Sequence, residues 1–227
     1  MIYAWFQTFV KITGFLPQLI LFGSKFHYED KAVQSRRIRG KAVVVANHRA
    51  LLDVGVLMFT FPGRTLRCAA AELLYRKNFF MTTFLRLMGC VRVERDQCDF
   101  SFLDRLKAVL DKGGVVEMFP ESRLPTQEGD RCPLPFKPSY VYLALEAEAP
   151  IIPVYHNGCA LRREPLQVVI GKPIDPLALY DSNLSEKENV QIINDYVRSK
   201  IIELSRNVPS PYPFGDAEET AQAPSVQ

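Results

Sequence analysis

Most of the short motifs that announce a particular chemistry are missing from this 227-residue chain. There is no G-x-S-x-G turn, so a serine hydrolase of the α/β type would lack its nucleophile elbow. Neither G-x-x-x-x-G-K-[S/T] nor G-x-G-x-x-G occurs, which removes two common nucleotide cradles. Histidine is scarce, with three in the chain. No His-x-x-x-His pair or acidic cluster proposes a metal, and no cofactor is expected. Five cysteines are present, Cys68, Cys90, Cys98, Cys132 and Cys159, with no C-x-x-C among them. An odd number without ligand spacing reads as free thiols in a reducing compartment. The N-terminus lacks a basic n-region and an A-x-A-like cleavage site, so no secretory signal is expected. No internal repeat is visible.

What is present fits one sizeable domain with appended ends, and 48% hydrophobic residues supply an ordinary core. The net charge of +3 hides an asymmetry. Residues 1–112 carry 18 Lys and Arg against 9 Asp and Glu, whereas residues 113–227 carry 10 against 16. A basic front half points to an anionic partner. Its basic run, Lys25, Lys31, Arg36, Arg37, Arg39 and Lys41, has no nucleic-acid motif after it. Anionic lipid is therefore the expected partner, and nucleic acid is not.

Residues 2–22 form the most apolar stretch. Within it Gln7, Lys11, Gly14 and Gln18 make a single polar stripe at helical spacing. Lys11 at mid-bilayer would cost roughly 2.5–3.5 kcal/mol, and Pro17 would kink a continuous helix. The stretch reads as a bent helical pair lying in a membrane interface, with Trp5, Phe6, Phe9, Phe15 and Leu19 toward lipid. The competing expectation is that this face packs on the protein's own body.

From Gly40 the chain alternates. Strands are expected at Ala42–Ala46, Leu66–Ala71, Cys90–Val93, Val115–Phe119, Ile151–Tyr155 and Gln167–Ile170. Helices are expected at Leu51–Thr60, Phe79–Met88, Phe100–Lys112 and Tyr140–Ala147. A last helix is capped by Ser185 and Glu188, with Val190, Ile193, Val197, Ile201 and Leu204 on one face. This predicts an α/β fold, a mainly parallel sheet flanked by helices and preceded by the apolar helical membrane-contact element. The expected divisions are residues 1–39 for that element and its basic linker, 40–208 for the α/β domain, and 209–227 for a loose tail.

Two loops stand out because each follows a buried strand, where open α/β sheets gather their chemistry. Asn47-His48 through Asp53 puts a histidine at a strand end and an aspartate at the next helix start. His48 suits a base near neutral pH, with Asp53 fixing its tautomer. Phe119-Pro120-Glu121-Ser122-Arg123 offers a guanidinium that matches phosphate, and Glu121 to hold it or bind a hydroxyl. A third segment, Gly89 through Arg95, ends a short strand in Arg95, a second possible phosphate contact.

Taken in order, these blocks resemble the glycerolipid acyltransferase family, and most closely its bacterial-type 1-acyl-sn-glycerol-3-phosphate (lysophosphatidic acid) acyltransferases. Asn47-His48 through Asp53 looks like the family's N-H-x-x-x-x-D block, and Gly89–Arg95 like its second block. Phe119-Pro120-Glu121 looks like the start of F-P-E-G-T-R, and 149–154 like its late proline-bracketed strand. Phe136-Lys137 sits where the family often has a Phe-Lys pair. Two departures fall in the third block: Ser122 replaces the usual Gly, and Arg123 comes one position early.

The resemblance implies transfer of a fatty acyl group from acyl-CoA or acyl-carrier protein to a lysophospholipid hydroxyl, giving phosphatidic acid in phospholipid biosynthesis. His48 and Asp53 would be catalytic. Arg95, Glu121, Ser122, Arg123 and Lys137 would bind substrate, at the cytoplasmic face of a membrane. Backbone N–H groups at the start of the Asp53 helix would help the oxyanion. The alternatives are another lysolipid or an amino-lipid acceptor, or a non-catalytic lipid-binding module on the same fold.

Overall fold

The computed structural model describes residues 2–50, 52–76, 78–93, 101–125, 133–158 and 165–208. In chain order the helices are α1 (Ile2–Thr13), α2 (Phe15–Phe22), α3 (Asp53–Thr60), α4 (Glu72–Arg76), α5 (Phe79–Met88), α6 (Ser101–Asp111), α7 (Ser139–Glu146) and α8 (Glu186–Ser205). The strands are β1 (Lys25–Tyr28), β2 (Ala42–Ala46), β3 (Leu66–Ala71), β4 (Val91–Val93), β5 (Val115–Met118), β6 (Ile151–His156) and β7 (Gln167–Ile170).

The strands form one sheet in the order β1-β7-β6-β2-β5-β3-β4. All pairings are parallel except β6 with β7. The α/β expectation therefore holds, with one antiparallel turn-back near one edge. β2 lies near the middle, between β5 and β6, and all five of its residues are buried. A strand covered on both faces must be apolar throughout, and Ala-Val-Val-Val-Ala is. Val43 and Val45 join the cluster under α6, α7 and α8; Val44 and Ala46 join the one under α3.

Helix ends follow their local chemistry. Gly113, at φ 72°, lets the chain reverse after α6, where its N–H bonds Leu110 O and the Gly114 N–H bonds Val109 O. Ser185 and Glu188 form the expected reciprocal cap on α8. Val190, Ile193, Val197, Ile201 and Leu204 are all buried beneath it.

The chain contains three elements that its sequence pattern did not announce, one of them a short 3-10 turn at Leu177–Leu179. β1, inside the stretch read as a basic linker, pairs residue for residue with β7. α4 is a single short turn after β3. In the same stretch Arg36 is turned inward: it donates to Thr60 O and Phe59 O at 2.8 and 2.7 Å and lies 3.9 Å over the Phe26 ring. Arg37 and Arg39 remain exposed.

The N-terminal segment is a bent pair, as its Pro17 and polar stripe require, but the stripe is what the body covers. Gln7 is 2% exposed; its amide donates to Leu66 O and Met88 O and accepts the Leu66 N–H. Lys11 donates to the carbonyls of Pro62 and Arg64, and Gly14 lies against Phe59. The apolar side points away: Trp5 is 69% exposed, and Phe9, Phe15 and Leu19 are exposed with it. Phe6 is the exception, meeting Phe84 of α5 edge-on at 6.1 Å. Among the described residues no helix is long and apolar enough to cross a membrane.

The expected loose tail, the start of the α6 helix at Phe100, the Leu51 helix start, and Cys98, Cys132 and Cys159 lie outside the described residues. Cys68 and Cys90 are free thiols.

Candidate active site

β2, β5 and β6 run side by side in register, so their carboxyl ends open on one edge of the sheet. His48 leaves β2 there. Its Nδ1 lies 2.8 Å from Asp53 Oδ2, at the first position of α3. The same oxygen accepts the N–H groups of Arg49 and Ala50. One oxygen thus gathers the imidazole and the two residues that follow it. The bend between β2 and α3 is wound around the carboxylate.

Asp53 is 1% exposed. Burial alone would raise its pKa. His156, the His48 hydrogen bond and the Ala50 and Arg49 N–H groups outweigh that and hold the carboxyl below its ordinary value. An ionised Asp53 makes Nδ1 of His48 the donor, which leaves the lone pair on Nε2. Among the described residues Nε2 has no hydrogen-bond partner, and 20% of the His48 side chain is open to solvent. Phe119 stacks on the ring at 4.6 Å and 25°, fixing its plane. The base is therefore oriented on one side and accessible on the other.

The β5 loop arrives beside it, as two parallel neighbours should. Glu121 is buried, with Oε1 accepting the His48 N–H and Oε2 the Leu134 N–H, both at 2.8 Å. Burial pushes its pKa up to about 6, against the pull of those two N–H groups and of Arg49. Glu121 therefore braces the His48 loop. Ser122 adopts φ 62°, a left-handed conformation that suits the glycine the related block usually carries. Arg123 is exposed and donates to Leu124 O. The Lys137 N–H bonds Pro120 O at 2.9 Å, which seats that residue against the same loop with its side chain exposed. Arg95 lies outside the described residues.

The N–H groups of Arg49 and Ala50, just ahead of α3, are taken by Asp53.

Three residues of the site were not picked out from sequence. Asn47 is buried and ties β2 to β6: its amide donates to His156 O and accepts the His156 N–H, both at 2.9 Å. His156 is fully buried, and burial pushes its pKa down against the pull of Asp53. Its Nε2–H donates to Asn47 O at 2.9 Å and sits 3.6 Å from Asp53 Oδ2. It stands behind the carboxylate as His48 stands in front. The Arg49 side chain lies against Gly158, at φ 69°, where a Cβ would approach its carbons to 2.9 Å. A signal for His156 was available: it directly follows the strand expected at Ile151–Tyr155.

An imidazole held by a buried carboxylate at the carboxyl edge of an α/β sheet is an arrangement that can take a proton. The chain belongs to the acyltransferase family, whose model matches residues 25–157. It is 25% identical over 197 residues to a 1-acyl-sn-glycerol-3-phosphate acyltransferase of Limnanthes alba, covering 82% of this chain and 66% of that one. To the human 1-acyl-sn-glycerol-3-phosphate acyltransferase beta it is 28% identical over 139 residues, 60% of this chain and 48% of the other. The chain thus spans between about half and two thirds of the length of these curated relatives. Among solved structures, the 1-acyl-sn-glycerophosphate (LPA) acyltransferase PlsC of Thermotoga maritima shares the fold, with a TM-score of 0.61 at 20% identity. That match covers 92% of this chain and 81% of that one.

Proposed function

We propose that this protein transfers a fatty acyl group from a thioester to the free hydroxyl of a lysophospholipid, with 1-acyl-sn-glycerol-3-phosphate as acceptor and phosphatidic acid as product. The observation that carries the reading is the His48–Asp53 pair, with Nε2 open to the edge where β2 and β5 end.

His48 Nε2 takes the hydroxyl proton as the alcohol oxygen attacks the thioester carbon. Asp53 steadies the imidazolium that forms. Collapse of the tetrahedral intermediate breaks the carbon–sulfur bond, and the departing thiolate takes the proton back from Nε2. Base catalysis of this kind contributes about 10²–10⁴-fold, and alignment of the two substrates supplies much of the rest. Arg95, Arg123 and Lys137 are assigned to the acceptor's phosphate, with Ser122 beside its glycerol. Glu121 acts through the His48 backbone. The early position of Arg123 keeps a different lysolipid or an amino-lipid acceptor as the second reading. The donor is acyl-CoA or acyl-carrier protein.

The same reading places the protein on a membrane, at its cytoplasmic face. An apolar helical face turned outward while its polar stripe is bound by the body supports it. So do the exposed cations Arg37 and Arg39, whose charge suits anionic head groups.

The test is a donor-by-acceptor panel with purified protein, read by mass spectrometry of the lipid products. It is run on wild type and on His48→Ala, with folding checked by circular dichroism. Transfer lost in a folded variant is expected. Near-normal turnover by that variant rejects the base, and no product from any pair rejects the reaction.

A further inference from the structure

Far from His48, where β3 and β4 begin at the free edge of the sheet, an open cavity of about 980 Å³ lies between α1, α5 and α6. Cys90 lines it. The sheet register puts Cys68 level with Glu117 and Val44, and Cys90 level with Cys68. His48 is four residues further along and three strands across. At ~3.3 Å per residue and ~4.8 Å per strand, the separation is roughly 20 Å. The cavity is not the catalytic pocket.

Its lining is of one sign. Arg67, Arg86, Arg92, Arg105 and Lys112 all border it, and among the described residues no carboxylate does. Glu72 meets Arg92 at 2.7 Å, the one described carboxylate matched to these five. Arg67 is held by Gly89 O and by the Tyr3 ring, 4.4 Å from its guanidinium carbon. Arg105 is held by Ser101 Oγ at 3.1 Å. These contacts fix both side chains without neutralising either.

Of the hydroxyls in the lining, Tyr75 donates to Cys90 O and Thr82 to Tyr75 O, while Tyr3 and Thr65 border the cavity as well. Cations crowded into one concavity repel each other and focus a positive field, which an anion relieves. Forked guanidinium groups match phosphate oxygens best. The mouth includes Tyr3 and Ala4 of α1, whose neighbours Ile2 and Trp5 are exposed.

We propose that this cavity is a second anion site, built for a phosphate group carried either by a phospholipid at the membrane surface or by a soluble phosphate ester. It stands apart from the acyl-transfer chemistry, and its test needs no turnover.

The test compares the full chain with the double variant Arg86→Gln/Lys112→Gln, both positions being exposed on helix surfaces or ends. One arm measures binding of pyrophosphate and glycerol 3-phosphate by titration calorimetry. The other measures sedimentation with phosphatidylcholine vesicles, plain or doped with phosphatidic acid. Saturable binding in either arm, weakened about tenfold in the double variant, is the expected result, consistent with losing two charge-assisted contacts. Binding in the calorimetric arm identifies a soluble ester. Binding that appears only with doped vesicles identifies a lipid headgroup. No binding in either arm overturns the proposal. So does binding that survives the double substitution, or that falls as far in Arg123→Ala, because the anion would then sit in the catalytic pocket.

Discussion

Two carboxyl groups, Asp53 and Glu117, are both 1% exposed, yet burial leaves them in opposite states. Asp53 is held below its ordinary pKa because one oxygen collects an imidazole and two backbone N–H groups. Glu117, on β5, is pushed well above its own, chiefly by burial and then by Cys90; the Cys68 thiol and the more distant Lys11 pull only weakly the other way. Among the described residues its Oε2 has no hydrogen-bond partner. Lys11 yields in turn, its pKa lowered to about 8 by burial despite Glu117. Burial does not set the charge of a carboxyl group. The donors that reach it do.

The largest effect expected from this contrast is on turnover. Asp53→Asn should lower kcat by about 10²–10⁴-fold, since the tautomer and the imidazolium both lose their anchor. A thioester-release assay checks it, and full activity would make the pair structural. Stability should respond as well. A depressed carboxyl contributes stability that is present above the ordinary carboxylate range and lost as pH falls through the folded pKa. The acid limb of wild type should therefore be steeper than that of the variant in denaturant titrations.

Glu121 lies between the two cases, with donors on both oxygens and a pKa still raised to about 6. A raised carboxyl stabilises fully below its unfolded pKa and loses that contribution as pH rises through the folded one. Wild type should lose about 2 kcal/mol relative to Glu121→Gln between pH 4.5 and 7.5, taking 1.36 kcal/mol per pKa unit. Urea midpoints at the two pH values measure the difference. Unchanged relative stability would mean that Glu121 keeps its ordinary pKa in the fold.

A smaller change is expected at Ser122, where the left-handed backbone costs a side chain about 1 kcal/mol. Ser122→Gly should raise stability by about that amount in thermal unfolding. A loss would show that the Ser122 hydroxyl, bonded to Pro120 O at 3.3 Å, outweighs the strain. The smallest effect belongs to Glu117→Gln at acidic pH, where an amide replaces a protonated acid and stability should move by less than about 1 kcal/mol. The variant should gain on wild type as pH rises above the ordinary carboxylate range, because wild type must keep in the fold a proton that its unfolded chain releases. A large loss at pH 7 would mean that Glu117 is charged and paired with Lys11.

Much of the sheet could be read in advance. Ala42–Ala46, Leu66–Ala71 and Gln167–Ile170 fall where apolar runs between polar or turn residues placed them. β1 was hidden because Lys-Phe-His-Tyr is a short edge strand in a charged stretch, and its partner lies about 140 residues away. The polar stripe of the N-terminal pair was legible, but the side that would be buried was not. Leu66 and Met88, whose backbones engage Gln7, lie 59 and 81 residues distant.

The sequence by itself determined the local things: which runs are strands, where α8 is capped, and that a histidine and an aspartate sit five positions apart across a strand-to-helix bend. Those depend on period and turn chemistry within a few residues. Only the tertiary structure decided that Glu121 would grip the His48 N–H across 73 residues, and that Asn47 and His156 would lock together across 109. A buried donor or acceptor must be paired, but which distant partner pairs with it depends on strand order and register, and those exist only once the sheet has formed.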